Sequence, residues 1–333
     1  LVNVADADTF FTELREQVKA LEEFSRPHPL STGTAVTMLK KYLSESKYHI
    51  AHDDLVTREV DGVTRVVTRD SSFDMKSQDM SGISVLNRLR KYEAVSTTLI
   101  HMGFVAGQWS DGDQATSWAN AIVMLSLGQT DGNTLLWQHL QRYPATLLLY
   151  AFGLGTVARE RWQTLSAVLN MHILQKYKED KHVATLTPIC ALFDKKADSI
   201  MQCLPGREKE HTPLNNHVEQ LLWEQIGMSF PSKLAFQLAF DKLEVLLAMS
   251  YAVVSAQEAV YYDGRTIPGI YGWDEASRKR VFAELRLSLK SEAEASSLVS
   301  SGLVGATAAA GLDNLSQLEN FVDSLRWRQT TRF

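Results

Sequence analysis

The chain has 333 residues, 34 Lys and Arg against 39 Asp and Glu, and a formal net charge of −5. That length fits one large or two smaller domains at roughly 100–200 residues each. Its 45% hydrophobic and 22% charged residues are the balance of a folded core and exclude a disordered chain. The acidic excess argues against the basic stripe of a nucleic-acid binder. Two cysteines, Cys190 and Cys203, are too few for a disulfide scaffold and fit a reducing cytoplasm.

No membrane span is expected. The uncharged run from Tyr143 to Ala158 falls just short of the roughly 17–25 residues that cross a bilayer. A second run, Ala295 to Leu312, is dominated by Ala, Ser, Gly and Thr, whose transfer free energy is too small for insertion. Leu1 stands in place of an initiator methionine and no signal segment follows. That beginning is the one expected of a processed product or a piece of a longer protein.

In chain order, Phe10, Leu14, Val18, Leu21 and Phe24 share one helical face over Thr9 to Phe24. Pro27 and Pro29 form a rigid connector, after which Ser31 or Thr32 can cap a helix carrying Val36, Leu39, Lys40 and Leu43. Residues 53–68 read two ways. Asp61-Gly62 between β-branched runs suits a hairpin turn, while Leu55, Val56, Glu59, Val60, Val63, Val66 and Val67 fit the helical period. A long amphipathic helix is expected from Ile83 to Ala106, stopped at Gly103 or Gly107 and followed by a loop over 108–113. Another is expected over Ala115 to Leu127. Pro144 opens an apolar segment, and a helix is expected over Arg159 to Leu174. Thr212-Pro213 starts a helix with Leu214, Val218, Leu221, Leu222 and Ile226 inside and Gly227 at its end. Leu234 to Ala259 gives the strongest helical pattern, and a last helix is expected near Leu312 to Trp327.

Few motifs carry chemistry. Gly153-Leu-Gly155-Thr-Val-Ala158 matches the glycine pattern of a dinucleotide-binding turn, but no second strand–helix unit follows it. The favoured reading is a buried helix whose glycines admit a neighbour. His49 and His52 with Asp53 and Asp54 are metal-ligand residue types without the three or four converging ligands a site needs. They are expected to be surface histidines beside a helix cap. Cys190 and Cys203 read as small buried hydrophobes. No nucleophile elbow and no P-loop pattern is present. The most distinctive loop runs over 261–273, where Tyr261, Tyr262, Arg265, Tyr271 and Trp273 are the candidate partner-binding residues, since Tyr, Trp and Arg anchor interfaces. The alternative is a loop pinned to the core by its own aromatics.

Several stretches taken together carry a resemblance. They are ADADTFFTEL (5–14), LEEFSRPHPLST (21–32), TAVTMLKKYLSESKYHI (34–50) and HDDLV (52–56), then QRYPATLLLYAFGLGTVARERWQTLSAVL (141–169), LPG (204–206), TPLNNHVEQLL (212–222) and FDKLEVLLAMSYA (240–252). The pattern resembles the helical region that follows the catalytic domain in bacterial sirtuin-like proteins of anti-phage defence. It is similar also to regions beside AlbA/Schlafen-like effector domains. The resemblance implies that HDDLV opens a helix and that Gly153 and Gly155 lie in a core helix. It transfers no catalytic residue, because none of these stretches is a catalytic signature.

The expected fold is all-α, a multi-helix array of packed helical hairpins of the solenoid-like, TPR-like kind. Residues 1–45 would be a helical connector from an upstream domain, 46–290 the main helical domain, and 291–333 a small-residue-rich segment with a C-terminal helix. The expected role is a non-catalytic sensing, regulatory or oligomerisation region of a cytoplasmic anti-phage effector. Its upstream domain would hydrolyse NAD, and no cofactor or metal is expected in this chain. A homo-oligomer and a phage-protein trigger are the expected partners, with no direct nucleic acid and no membrane. The alternatives are a nucleotide-binding enzyme built on Gly153 and Gly155, or a general interaction scaffold.

Overall fold

The computed structural model describes Thr12, Arg15 and residues 30–73, 79, 81–127, 135–176, 184–188, 200–257 and 269–330. The helix expected over Thr9 to Phe24 lies largely outside the described residues, as do Cys190, Tyr261, Tyr262 and Arg265.

Ser31 caps α1 (Thr32–Ser44) through its side chain, which accepts from the Thr34 amide at 3.2 Å. Ala35, Leu39 and Tyr42 form its buried face. Helix α2 (His49–Arg69) settles the ambiguity over 53–68 in favour of the helix. Val56, Val60 and Val63 are buried at helical spacing. A strand would send Val60 and Val63 to opposite faces, as it would the buried neighbours Leu55 and Val56, so burial along a single stripe outweighs the β-propensity of the valines.

Helix α3 (Gly82–Trp109) runs straight through Gly103 and Gly107, and the expected 108–113 loop shrinks to Ser110 and Asp111. Both glycines continue the helix because α6 (Tyr143–Ala158) crosses against them. Asp111 starts α4 (Gly112–Ser126) with a capping box, its carboxylate accepting from the Gln114 amide while the Gln114 side chain accepts from the Asp111 amide. A short α5 (Leu135–Leu140) precedes α6. Every residue of α6 from Tyr143 to Val157 is buried, the signature of a helix at the centre of a fold rather than on its surface. Its four leucines contribute about 1.5–3 kcal/mol each by leaving water.

The helix expected over Arg159 to Leu174 stops early, at α7 (Trp162–Leu169). Strand β1 (His172–Lys176) follows and pairs antiparallel with β2 (Ala184–Pro188), Leu174 opposite Leu186. The segment satisfies its backbone groups by cross-strand pairing instead of continuing the helix.

Pro213 opens α8 (Pro213–Ile226), and α9 (Lys233–Gln257) is the long helix foreseen over 234–259. A 3₁₀ turn (Ile270–Gly272) leads into α10 (Glu275–Lys290), which Asp274 caps by accepting from the Ala276 amide. The sequence reading gave α10 no element. Helices α11 (Glu292–Ser300) and α12 (Ala308–Thr330) are the last described elements.

Helices α3 and α6 form the spine. Around it α3 packs on α1, α2 and α8, while α6 packs on α4, α7 and α9. Helices α10 and α12 both pack on α9, and α11 packs on α7 and α10. The fold class is all-α, with one two-stranded antiparallel sheet among the described residues. Among the described residues no helix is long and apolar enough to cross a membrane.

Candidate functional site

Three clusters of polar side chains lie inside this framework. The first joins α2 to α4. His52 is fully buried, not a surface residue, because α2 turns it inward against Trp118. The Trp118 indole donates to His52 Nε2 at 3.2 Å. An indole nitrogen can only donate, so Nε2 accepts and the ring proton sits on Nδ1, which donates to Asp53 Oδ1 at 2.9 Å. Burial holds the His52 pKa below its ordinary value against the opposing charges of Asp53 and Asp111, keeping the ring neutral. Ser117 Oγ donates to the same Asp53 oxygen at 2.6 Å.

The order of this chain decides its chemistry. In a hydrolytic triad the imidazole lies between serine and carboxylate and takes the serine proton. Here the carboxylate lies between serine and imidazole, and the far nitrogen of the imidazole is occupied by Trp118. The arrangement fixes the geometry of Asp53 and does not activate Ser117. It also uses both nitrogens of His52, while His49 Nδ1 lies 3.2 Å from the Ser46 carbonyl. No group of three or more His, Cys, Asp or Glu that could hold a metal occurs among the described residues. A cleft of roughly 180 Å³ opens beside Asp53, bounded by Val56, Thr57 and Val60 of α2 and by Ser117, Asn120, Ala121 and Met124 of α4.

The second cluster joins α3, α6 and α8. His217 Nε2 meets Glu93 Oε1 at 2.6 Å, and the Tyr143 hydroxyl donates to the same oxygen at 3.0 Å. Arg207 Nη2 lies 3.5 Å from His217 Nδ1, while Arg207 Nη1 donates to Glu210 at 2.8 Å. Burial, reinforced by the Glu93 charge, raises the Tyr143 pKa well above its usual value, so the phenol remains a donor.

The third cluster hangs from α9. The Glu244 carboxyl reaches Asn215 Nδ2 on α8, the Tyr150 hydroxyl on α6 at 3.5 Å, and the Ile270 amide at 2.8 Å. One side chain thus ties three segments to a fourth. Burial drives its pKa well above the carboxylate range, and the nearby Asp241 charge pushes the same way. Asp241 accepts from Ser277 Oγ at 2.6 Å and is itself pushed up to about 6 by burial. One turn of α9 therefore places two perturbed acids at the joint with α8 and α10.

The sequence-derived loop residues divide. Tyr271 is fully buried, its ring 5.9 Å from Phe282, so it holds the 3₁₀ turn on the core. Trp273 stacks on His211 at 4.3 Å with 15° between the planes. Tyr261, Tyr262 and Arg265 lie outside the described residues. Cys203 is exposed, not buried, because it falls in the turn after Met201. Gly153 and Gly155 sit within α6 towards its C-terminal end, with Leu243 of α9 against the first and α3 against the second. The turn that a nucleotide-binding reading requires is absent there, and the amides meant for a pyrophosphate are used within the helix.

Sequence reasoning missed Glu93, His217, Asn215 and Ser117. Each lies on a face whose role depends on a residue roughly 30 to 120 positions away. The charged trio Asp241-Lys242-Glu244 inside the strongest helical pattern was the one available signal. Comparison with known proteins gives no match to a family model, to a curated protein or to a solved structure.

Proposed function

We propose that this chain is the non-catalytic sensing, regulatory or oligomerisation region of a larger bacterial anti-phage effector in the cytoplasm. In this reading it recognises a phage protein and holds protomers together while a linked N-terminal domain hydrolyses NAD. The defence context, the NAD and the phage trigger rest on the resemblance of the stretches at 5–14, 21–32, 34–50, 52–56, 141–169, 204–206, 212–222 and 240–252 to such regions.

The observation that carries the accessory role is the position of Glu244. Perturbed acids that do chemistry face a cleft where substrate can reach them. Glu244 instead faces Asn215, Tyr150 and the Ile270 amide, so its carboxyl fixes the relative placement of α6, α8, α9 and the 3₁₀ turn. His52 and Asp241 likewise join pairs of helices. A frame whose buried ionisable groups lock its joints suits a part that transmits or holds position.

Light scattering across a concentration series tests the protomer-holding role. The expected mass is a multiple of 37.3 kDa. A 37.3 kDa species throughout the series would overturn that role.

A further inference from the structure

Asp53 is held in place from behind and left open in front. Ser117 Oγ and His52 Nδ1 both bond Oδ1, at 2.6 and 2.9 Å, and Oδ2 takes no bond from any described residue. The side chain is 56% exposed. Among the described residues its one ion-pair partner is His52, which burial keeps neutral, so no described Lys or Arg neutralises it. Asp111 lies close enough to act electrostatically on His52 and adds a second negative charge to the region. A carboxylate whose orientation is fixed by a buried His–Trp pair loses no side-chain freedom when it binds, which is the condition for a strong charge-assisted hydrogen bond.

The cleft in front of Asp53 supplies the rest of a site. Thr57, Ser117 and Asn120 offer polar atoms, and the exposed Met124 offers apolar wall above the buried Val56, Val60 and Ala121. Its volume of roughly 180 Å³ is below the roughly 300–1,000 Å³ of pockets for drug-sized ligands. It has room for one small group, not for a nucleotide.

We propose that the α2–α4 cleft binds a small organic cation, an ammonium or guanidinium on a short aliphatic stem, with Asp53 Oδ2 as counter-ion and Met124 against the stem. Ser117 and His52 are positioning residues that act through Asp53. The assignment does not depend on the accessory role proposed above.

Trp118 reports on the site because its indole N–H is bonded, through His52, to Asp53. Protein labelled with ¹⁵N-tryptophan is titrated with n-pentylammonium, with the peptide acetyl-Gly-Lys-Gly-amide and with n-pentanol. The Trp118 resonance is identified by its loss in Trp118→Phe or, where that variant does not fold, by its displacement in Ser117→Ala. Saturable movement with a cationic ligand, none with n-pentanol, and roughly tenfold weaker binding in Asp53→Asn are expected. Asn at 53 can still accept from Ser117 and His52, so the fold is retained. Binding of the amine alone assigns a free organic cation. Peptide binding at least as tight assigns a partner's lysine side chain. Absence of movement with both cations, or equal affinity in Asp53→Asn, overturns the proposal.

Discussion

Gly107 of α3 and Gly155 of α6 meet without a side chain between them: a Cβ at Gly155 would lie 3.1 Å from the Gly107 Cα and on top of the Phe104 carbonyl oxygen. A Cβ at Gly107 would in turn lie 2.9 Å from the Thr156 amide and on the Phe152 carbonyl. The obstacles are backbone atoms of the two spine helices, which cannot swing aside as a side-chain terminus can. Gly155→Ala and Gly107→Ala are therefore expected to lower stability by about 1–3 kcal/mol or more through overpacking. Gly62→Ala is the control. It sits within α2 with nothing within 4 Å of its Cβ position, so it should gain roughly 0.5–1 kcal/mol from helix propensity. Urea unfolding of the three variants checks both signs, and a stabilised Gly155→Ala would contradict the close crossing.

Glu244 and Gly269 form a second dependent pair. A Cβ at Gly269 would overlap the Glu244 carboxyl, so the chain can deliver the Ile270 amide to that carboxyl only with glycine at 269. Glu244→Gln keeps an acceptor for Asn215 or Ile270 and should cost little, since burial already favours the uncharged form. Glu244→Leu leaves those donors buried without an acceptor, at roughly 1–3 kcal/mol each. Thermal unfolding should rank wild type and Glu244→Gln together, above Glu244→Leu and Gly269→Ala. A Glu244→Leu variant as stable as wild type would contradict the anchoring role.

Asp241 and His52 give the stability opposite dependences on pH. Asp241 is raised from 3.8 to about 6 in the folded chain, so between those values the native state binds a proton that the unfolded state has lost. Its contribution falls as pH rises through that window, by up to about 1.4 kcal/mol per pH unit, and stays low above it. His52 is lowered from 6.5. Its contribution is whole above 6.5 and is lost as pH drops through that value towards the folded one. Asp241→Asn, which still accepts from Ser277, should gain melting temperature at pH 7 relative to wild type more than at pH 4. His52→Gln should flatten the loss on acidification from pH 7 to 5. Melting curves that stay parallel to wild type across this range would contradict both assignments.

What the sequence made legible was periodicity. The buried stripes of α2 and α8 follow from the spacing of apolar residues, and even the ambiguous 53–68 segment carried its helical face in Val56, Val60 and Val63. In α1 the expected face of Val36, Leu39, Lys40 and Leu43 shares only Leu39 with the buried Ala35, Leu39 and Tyr42. Helix ends were less legible. Gly103 and Gly107 read as stops because glycine is costly in a helix by local propensity. They are tolerated because the approach of α6 supplies contacts that a local reading does not contain. The β1–β2 pairing was hidden for the same reason, since Leu174 gains its partner from Leu186. Polar function was least legible. Ser117 carries no motif, and its meaning comes only from Asp53, 64 positions earlier in the chain.

The central claim, that this chain serves an effector without doing the chemistry itself, is tested most directly by incubating the purified 333-residue chain with NAD at high protein concentration and measuring nicotinamide release. The account predicts no release above the rate of NAD alone. Nicotinamide released in proportion to protein concentration, and lost with the purified protein's fold on heating, would contradict it.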